Sequence, residues 1–310
     1  MCLGHQIRLI PPNEYPFLLR QLTKPPEKMY ICGELPSDDH KFLCVIGSRA
    51  NSQYGRDVCR EIIHGLRGSP VVIVSGLAIG MDSLAHEFAL EVGLKTIAVP
   101  GSGLDESVLY PRSKHSLARR ILETGGALLS PFDLNRGSAK WTFIARNAVM
   151  AGLSHAILII EGRKDSGTMI TAGNASEFSR DLLVVPGSIF SDLSYVPNSR
   201  LRDGGLAVTC AEDVLEALGL SAECSSGQSG SERAISELGV NEKRLLKCLS
   251  YPKMRDELIA EMGIGAPELG ALLGGLELLG AISDQDGMIA KMWNVGREAR
   301  GAGCEKINED

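Results

Sequence analysis

The chain has 310 residues, of which 44% are apolar and 5% aromatic, and its formal net charge is −6. This length is typical of about two globular domains, and the acidic balance excludes a general polycation, so nucleic-acid binding needs a local basic patch. Residues 220–310 contain 15 acidic and 10 basic residues. The first 219 residues are therefore nearly neutral and are the better place for such a patch.

The N-terminal residues lack the apolar core of a signal peptide, and no apolar run approaches the ~18 residues of a membrane-spanning helix. The eight cysteines show neither C-x-x-C nor zinc-finger spacing. These observations predict a cytoplasmic protein with reduced thiols, no metal site and no membrane contact.

Residues 1–41 are predicted to form an N-terminal lead-in, with a short helix within 13–22 and a strand at 28–33, at or near a sheet edge. From 42 to 218, β-branched runs alternate with amphipathic helical patterns. The predicted strands are 42–46, 71–74, 96–99, 156–160 and 182–185. The predicted helices are 54–67, 80–92, 113–124, 140–152, 167–180 and 211–218. The fold class is therefore α/β, with a Rossmann-like, doubly wound, mostly parallel sheet.

A Ser/Gly-rich stretch at 219–233 predicts a flexible linker. Residues 234–296 predict three short helices and a β-hairpin turning at Asp286-Gly287, the element order of a winged helix. The third helix carries Glu268 and Glu277 but no Lys or Arg. We therefore expect this domain to contact protein or to regulate, rather than to read duplex DNA. Residues 297–310 are predicted to be a disordered tail.

Glycine-bearing turns follow the predicted strands: Gly47-Ser48-Arg49, Ser75-Gly76 with Gly80, Gly101 with Gly103, and Ser166-Gly167-Thr168. Parallel strands bring their carboxyl ends to one edge, and the unpaired N–H groups of helix starts at that edge favour anions. These turns predict a phosphate-binding edge, to which Arg49 adds a planar set of donors. By position alone, a surface arginine on an ordinary turn explains Arg49 equally well.

Asp82 and His86 lie four residues apart and share one face of a predicted helix. We interpret them as structural support, bonded to each other or to the neighbouring loop, because no nucleophile with a paired base is evident. Direct catalysis is the less favoured alternative.

A basic cluster with interleaved aromatic residues occupies 110–120 and 136–147, and its nucleic-acid candidates are Arg112, Lys140, Arg146 and Asn147. Cations meet phosphates and rings stack on bases in single-strand-binding proteins. The alternatives are a solvated helix face for Arg119 and Arg120, and core packing for Trp141 and Phe143.

Several nucleotide motifs are absent. The chain contains no G-x-x-x-x-G-K-[ST] motif, and the glycine after Gly47 is Gly55, which is too distant for a dinucleotide fingerprint. No His/Cys/Asp cluster has the spacing of a metal site. We predict no cofactor.

Taken together, residues 14–218 resemble the DNA-processing protein A (DprA/Smf) family, and the resemblance extends to the winged-helix-like C-terminal part. The motifs that carry the resemblance are Gly47-Ser48-Arg49 with Tyr54-Gly55, Ser75 through His86, Tyr110-Pro111 after Gly103 and Asp105, Phe143 with Arg146-Asn147, Ser166 through Thr171, and Val185-Pro186-Gly187. Two positions depart from the family pattern. Ala148 replaces the last Arg of an Arg-Asn-Arg element, and Val196-Pro197-Asn198 stands where the family tends to place Gly-x-Asn.

The resemblance implies a cytosolic homodimer that binds single-stranded DNA and helps to load the RecA recombinase during natural transformation (competence) and recombination. It implies no enzymatic turnover. By the same carry-over Arg49 is the first candidate for DNA contact, Lys140 and Arg146 come next, and Asp105 belongs with the structural support.

An enzyme on nucleotides is the alternative, namely a phosphoribohydrolase similar to the lysine-decarboxylase-like LOG proteins. Their Pro-Gly-Gly-x-Gly-Thr-x-x-Glu signature is only partly matched by residues 100–106. The threonine is missing and the acids are shifted, so the placement of a general acid or base fails.

Overall fold

The computed structural model describes residues 1–164, 166–220, 239–249, 252–278, 281–285 and 287–291. The chain divides into two compact units, Met1–Ser225 and Ser226–Asp310. Most of the predicted linker (221–233) and the whole predicted tail (297–310) lie outside the described residues.

The first unit is an alternating α/β structure. Its strands are β1 (Ile7–Ile10), β2 (Met29–Gly33), β3 (Lys41–Ile46), β4 (Val71–Ser75), β5 (Thr96–Ala98), β6 (Ala127–Ser130), β7 (Ala156–Ile159), β8 (Asp181–Val184) and β9 (Leu206–Ala207). Its helices are α1 (Phe17–Arg20), α2 (Gln53–Gly65), α3 (Met81–Glu91), α4 (His115–Glu123), α5 (Lys140–Leu153), α6 (Gly167–Glu177), α7 (Tyr195–Arg202) and α8 (Ala211–Ala217).

The nine strands form one sheet in the order β1-β2-β6-β5-β4-β3-β7-β8-β9. All pairs from β6 to β9 are parallel, whereas β1–β2 and β2–β6 are antiparallel. The predicted Rossmann-like, mostly parallel sheet is confirmed. The lead-in adds two antiparallel strands to it, because β2 pairs with β6 from Tyr30–Ser130 to Gly33–Ala127.

The central strands are apolar throughout because helices cover both faces of the sheet. In β3, Leu43 and Val45 face a core shared with α2, α3 and α8, whereas Phe42, Cys44 and Ile46 face a second core shared with α1, α5 and α6. Successive side chains of a strand point to opposite faces, so one continuous apolar run supplies both cores.

Strand β3 marks the point where the chain changes direction across the sheet. It pairs with β4 on one side and with β7 on the other, so the loops that leave β3 and β7 diverge. A crevice opens at such a switch point, at the carboxyl ends of the strands.

Three strands of this nine-stranded sheet have no counterpart in the sequence prediction, because their local signals are weak. Strand β6 is a four-residue Ala-Leu-Leu-Ser segment without β-branched residues, β9 has two residues, and two of the four residues of β1 are exposed. Pairing with the neighbouring strands, rather than local propensity, determines that these segments form strands.

The second unit contains α9 (Val240–Cys248), β10 (Lys253–Met254), α10 (Arg255–Met262), α11 (Ala266–Leu278), β11 (Ile282–Gln285) and β12 (Met288–Lys291). Strands β11 and β12 pair antiparallel, and the small sheet has the order β10-β12-β11. Leu245, Leu258, Leu269 and Ile289 belong to its buried core. Three helices and a hairpin thus follow the predicted order, and the winged-helix assignment stays a prediction. Asp286, at the predicted turn, lies outside the described residues.

Within the described part of the chain, none of the helices has the length and apolar character needed to cross a membrane.

Candidate nucleic-acid interface

A cleft of about 460 Å³ opens where β3 and β7 end. Four segments line it: the loop after β3, the start of α3, the middle of α5, and the loop after β7 with the first turn of α6. The predicted site residues that it brings together are Gly47, Ser48, Arg49, Asp82, Arg146, Asn147, Ser166, Gly167 and Thr168. Arg163, Phe143 and Thr171 also line the cleft.

The backbone around Arg49 is fixed by hydrogen bonds, whereas the Arg49 side chain is exposed to solvent. The Ser48 hydroxyl accepts from the Ala50 N–H at 3.2 Å, and the Ser48 carbonyl accepts from the Met81 N–H at 3.1 Å. A Cβ on Gly80 (φ +92°) would lie 2.3 Å from the Arg49 carbonyl oxygen, so only glycine fits there. The Arg49 guanidinium lies 5.3 Å from the centre of the Phe143 ring. The guanidinium N–H donors of Arg49 therefore line the cleft, and the backbone that carries them is rigidly positioned.

A buried carboxylate, Glu161, anchors the same loop from behind. The Ser52 N–H donates to Glu161 Oε2 at 2.9 Å, the Ser52 hydroxyl donates to Oε1, and Ser52 in turn caps α2 by accepting from the Gly55 N–H at 3.0 Å. A Cβ on Gly55 would lie 2.4 Å from Glu161 Oε2. No sequence motif pointed to Glu161, although an acid that follows a buried strand and directly precedes Gly162 is a usable signal.

Arg146 is buried beneath the glycine turn that follows β4. Only 4% of its surface is exposed. Its Nη1 donates to the Val99 carbonyl at 3.0 Å and lies 3.5 Å from Asp82 Oδ2. A Cβ on Gly76 would lie 1.2 Å from that Nη1 atom, so the glycine makes room for the guanidinium. Arg146 therefore stabilises the bottom of the cleft by joining α5 to the loop after β5 and to Asp82.

The turn at 75–82 uses its own donors internally. The Gly76 and Ala78 amides bond the Asp82 carboxylate, whose pKa is raised by burial while Arg146 and those amides oppose the shift. The Ser75 hydroxyl donates to the Val45 carbonyl at 2.7 Å, inside the sheet. Ser75, Gly76 and Gly80 thus shape the cleft from behind and do not line it. The phosphate contact expected of Ser75 and Gly76 is corrected, because the Val45 carbonyl and the Asp82 carboxylate occupy these donors, whereas Gly80 makes room for the Arg49 loop.

The first turn of α6 offers the cleft an anion-binding end. The Ser166 hydroxyl donates to the Arg163 carbonyl at 2.7 Å, which closes the turn before Gly167. Asn147 Nδ2 approaches the Gly167 carbonyl at 3.5 Å. The first amides of a helix have no intrahelical acceptor and carry the positive end of its dipole.

Four further candidates lie outside the lining of the cleft. Gly101 packs on Phe143, and the Gly103 N–H donates to the Arg136 carbonyl at 2.7 Å, so these two glycines permit close backbone packing. Arg112 and Lys140 are exposed on neighbouring segments.

Asp105 and His86 support the structure locally. Asp105 Oδ1 accepts from the N–H and hydroxyl of Ser107, at 3.1 and 2.7 Å, and these bonds lower the pKa of the carboxyl. His86 bonds Thr96 (2.7 Å), not Asp82. The Thr96 hydroxyl donates to the Ile73 carbonyl at 2.8 Å, so it accepts from the Nδ1–H of His86. Burial lowers the pKa of His86 to about 3, and the ring is neutral.

The structure shows what surrounds the two positions that depart from the family pattern, Asn198 and Ala148. Asn198 bonds both backbone groups of Gly187, with Oδ1 accepting from its N–H at 3.3 Å and Nδ2 donating to its carbonyl at 3.0 Å. Ala148 lines a second cleft of about 430 Å³ on the opposite face of α5, together with Trp141, Phe132 and Arg136.

The unit that carries the cleft is the part of the chain that the family model covers. The model of the DNA recombination-mediator protein A family matches residues 6–219. The chain belongs to this family. The resemblance to DprA/Smf proteins seen in the sequence is thereby confirmed.

Two family members illustrate the extent of the match. Protein Smf of Escherichia coli is 38% identical over 212 residues, which are 68% of this chain and 56% of that relative. The DNA processing protein DprA of Streptococcus pneumoniae is 37% identical over 201 residues, 65% of this chain and 70% of that relative. The match thus spans little more than half the length of the E. coli relative.

Solved structures of family members share the fold. DprA from S. pneumoniae superposes with a TM-score of 0.63 at 34% identity, covering 69% of this chain and 74% of that one. DNA processing protein A from Helicobacter pylori, known for a single-stranded DNA binding mode, gives a TM-score of 0.62 at 27% identity, covering 70% of this chain and 98% of that one.

The first prediction concerns the space above Arg146. Gly76→Ala should lower the free energy of unfolding by about 3 kcal/mol or more, because the new methyl group separates Arg146 from Asp82 and leaves buried charges unpaired. Gly167→Ala is the control, since its nearest neighbour would be 3.8 Å away. Urea unfolding monitored by circular dichroism measures both. Equal midpoints for the two variants would contradict the role assigned to Gly76.

The second prediction concerns the buried neutral imidazole. An unfolded histidine titrates near pH 6.5 and folded His86 near pH 3, so its contribution to stability is complete above pH 6.5 and is lost as the pH falls towards 3. Between pH 7 and pH 5 the wild type should lose about 2 kcal/mol more unfolding free energy than His86→Gln. Urea titrations at both pH values give this double difference, and parallel losses in the two proteins would show that His86 does not carry the effect.

Proposed function

We propose that this protein binds single-stranded DNA through the cleft and passes the strand to the RecA recombinase in recombination that follows DNA uptake. The observation that carries the proposal is the state of Arg49. Its guanidinium is exposed at the cleft, stacked on Phe143, and no ion pair joins it to an acid among the residues that the structure describes. A fixed, unneutralised arginine is suited to phosphate.

The electrostatics of the cleft favour an anion. Arg49, Arg146 and Arg163 line it beside one described acid, Asp82, which already pairs with Arg146. The start of α6 adds backbone donors. Two arginines and one helix end thus remain to attract a phosphate, although the chain as a whole is acidic.

The shape of the cleft favours an unpaired strand. The site is a recess of about 460 Å³, a size that encloses a small ligand, whereas duplex readers insert a protruding helix or ribbon into a groove. Tyr110 is about half exposed, its ring centre lies 5.9 Å from that of Phe143 in the cleft, and it offers a ring to an unstacked base. The single-stranded DNA binding mode of the H. pylori relative supports the same interpretation.

The side chains near the cleft that could act as acid, base or nucleophile are already hydrogen-bonded or ion-paired within the protein. This arrangement favours a binding protein over an enzyme. Asp82 bonds Arg146 and the turn, Glu161 bonds Ser52, and Ser75 and His86 bond the sheet. A general acid or base must reach a substrate proton, and these groups are turned to other partners. We therefore propose binding without turnover.

We base three parts of the proposal on membership of the recombination-mediator family: the interaction with RecA, the homodimer and the cytoplasmic location. The predicted protein-contact role of the second unit belongs with them, because α11 carries Glu268 and no Lys or Arg.

The third prediction tests strand binding. Labelled oligo-dT should bind with an affinity that rises with length and falls with salt. Arg49→Ala should weaken binding about tenfold or more, equally for all sequences, and reduce the salt slope by about 0.7 for one lost phosphate contact. Fluorescence anisotropy from low to moderate salt measures both quantities.

Arg119→Ala is the matched control, because it removes the same charge from an exposed position on α4 outside the cleft. It should leave affinity within about twofold, as expected for a distant surface charge. Failure of the wild type to retain a long single strand at low salt would overturn the function. Release of free base from a nucleoside monophosphate would instead support the phosphoribohydrolase.

The fourth prediction concerns the partners. The wild type should shorten the lag of RecA filament formation on strands already coated with a single-strand-binding protein, and Arg49→Ala should lose most of this effect while sedimenting as a dimer. Equal lags with and without the wild type would contradict the RecA proposal, and a monomer at micromolar concentration would contradict the dimer.

A further inference from the structure

The loop that follows β8 presents two large apolar side chains to solvent. Ile189 is 83% exposed and Phe190 is 94% exposed. Single exposed apolar residues are common on proteins. Here two adjacent ones occupy the tip of one loop, which we call the 189–190 tip.

Hydrogen bonds hold the tip in a defined turn. The Ser191 N–H donates to the Ser188 carbonyl at 3.1 Å, and the Phe190 N–H donates to the Ser188 hydroxyl at 3.3 Å. The Leu193 N–H donates to the Ser191 hydroxyl at 3.3 Å. The turn keeps both side chains outward before any ligand arrives, which reduces the entropy lost on binding.

The base of this loop is bonded to both walls of the cleft. On one side the Tyr54 hydroxyl donates to the Pro186 carbonyl at 2.7 Å, and Tyr54 lies in the first turn of α2, after the Arg49 loop. On the other side the Gly162 N–H donates to the Leu193 carbonyl at 2.6 Å, and Gly162 directly precedes Arg163 of the cleft. The tip is therefore continuous with the phosphate site.

Cations and rings occupy the surface between the tip and the cleft. The Lys164 ammonium lies 5.8 Å from the centre of the Tyr195 ring, and Tyr195 is about half exposed. Arg163 and Lys164 are both exposed. Interleaved cations and aromatic groups are the surface on which single strands lie.

We propose that the 189–190 tip is a stacking platform for nucleobases of the strand whose phosphate occupies the cleft. The inference rests on the proposed function and extends it by a second contact of different chemistry: the cleft takes phosphate, and the tip takes the faces of unpaired bases.

A protein partner fits this tip less well. Two side chains bury at most a few hundred Å², whereas specific protein interfaces bury about 1,200–2,000 Å². A stacked base or two covers a tip of this size, and the neighbouring Arg163 and Lys164 suit its phosphates.

The fifth prediction separates stacking from phosphate contact. The Ile189→Ala/Phe190→Ala double variant should bind oligo-dT about tenfold more weakly than wild type, with the salt slope unchanged. Both proteins should bind an abasic oligomer of the same length equally, because it offers phosphates without bases. The matched control is Phe17→Ala, which removes a 52% exposed ring from α1, away from the cleft, and should change neither affinity.

Phe190→Trp supplies a second readout on a conservative variant. Its added fluorescence should be quenched by oligo-dT but not by the abasic oligomer, relative to the wild-type emission. If the wild type binds oligo-dT while the double variant binds it equally well, the stacking platform is wrong and the cleft stands. A double variant that binds normally but no longer stimulates RecA would mark the tip as a protein contact and overturn the inference. If the wild type binds no strand, the proposed function fails, and the platform with it.

Discussion

The cleft depends on one buried ion pair. Arg146 on α5 lies beneath the turn that follows β4 and reaches Asp82 on α3, with Gly76 leaving space for the guanidinium. Breaking such a pair costs far more than losing a surface pair, because the remaining charge is left in a medium that solvates it poorly. The pair therefore fixes α3 and α5, the two helices that flank the cleft, relative to the central strands.

Around this pair, acidic side chains form the structural contacts of the cleft, and arginine side chains remain exposed in it. Glu161 ties the Arg49 loop to the end of β7, and Asp82 neutralises Arg146. Both carboxylates are buried, whereas Arg49 and Arg163 remain exposed. An acidic chain can thus present a locally cationic recess, because the two carboxylates beside the recess are already paired and the excess of acids lies in the C-terminal part of the sequence.

The family relationship and the geometry support the same function from independent directions. The family match covers the unit that forms the cleft, and the cleft offers donors for phosphate next to rings for bases. Phosphate contacts give affinity without sequence preference, and stacking tolerates any base. The proposed binding of single strands of any sequence requires this combination. In our proposal, the exposed tip at Phe190 extends this combination along the surface.

The sequence by itself determined the α/β class, the positions of most central strands and helices, and the edge at which the site lies. These features follow from local periodicity and from glycines at strand ends, as with Gly47 and Gly167. Only the tertiary structure decided which side chains are free. Arg49 and Arg146 look alike as basic residues near aromatic ones, yet one is exposed and the other is buried against Asp82. Glu161 meets Ser52 from 109 residues away. Burial and long-range partners of this kind arise when strands and helices pack, and no local pattern encodes them.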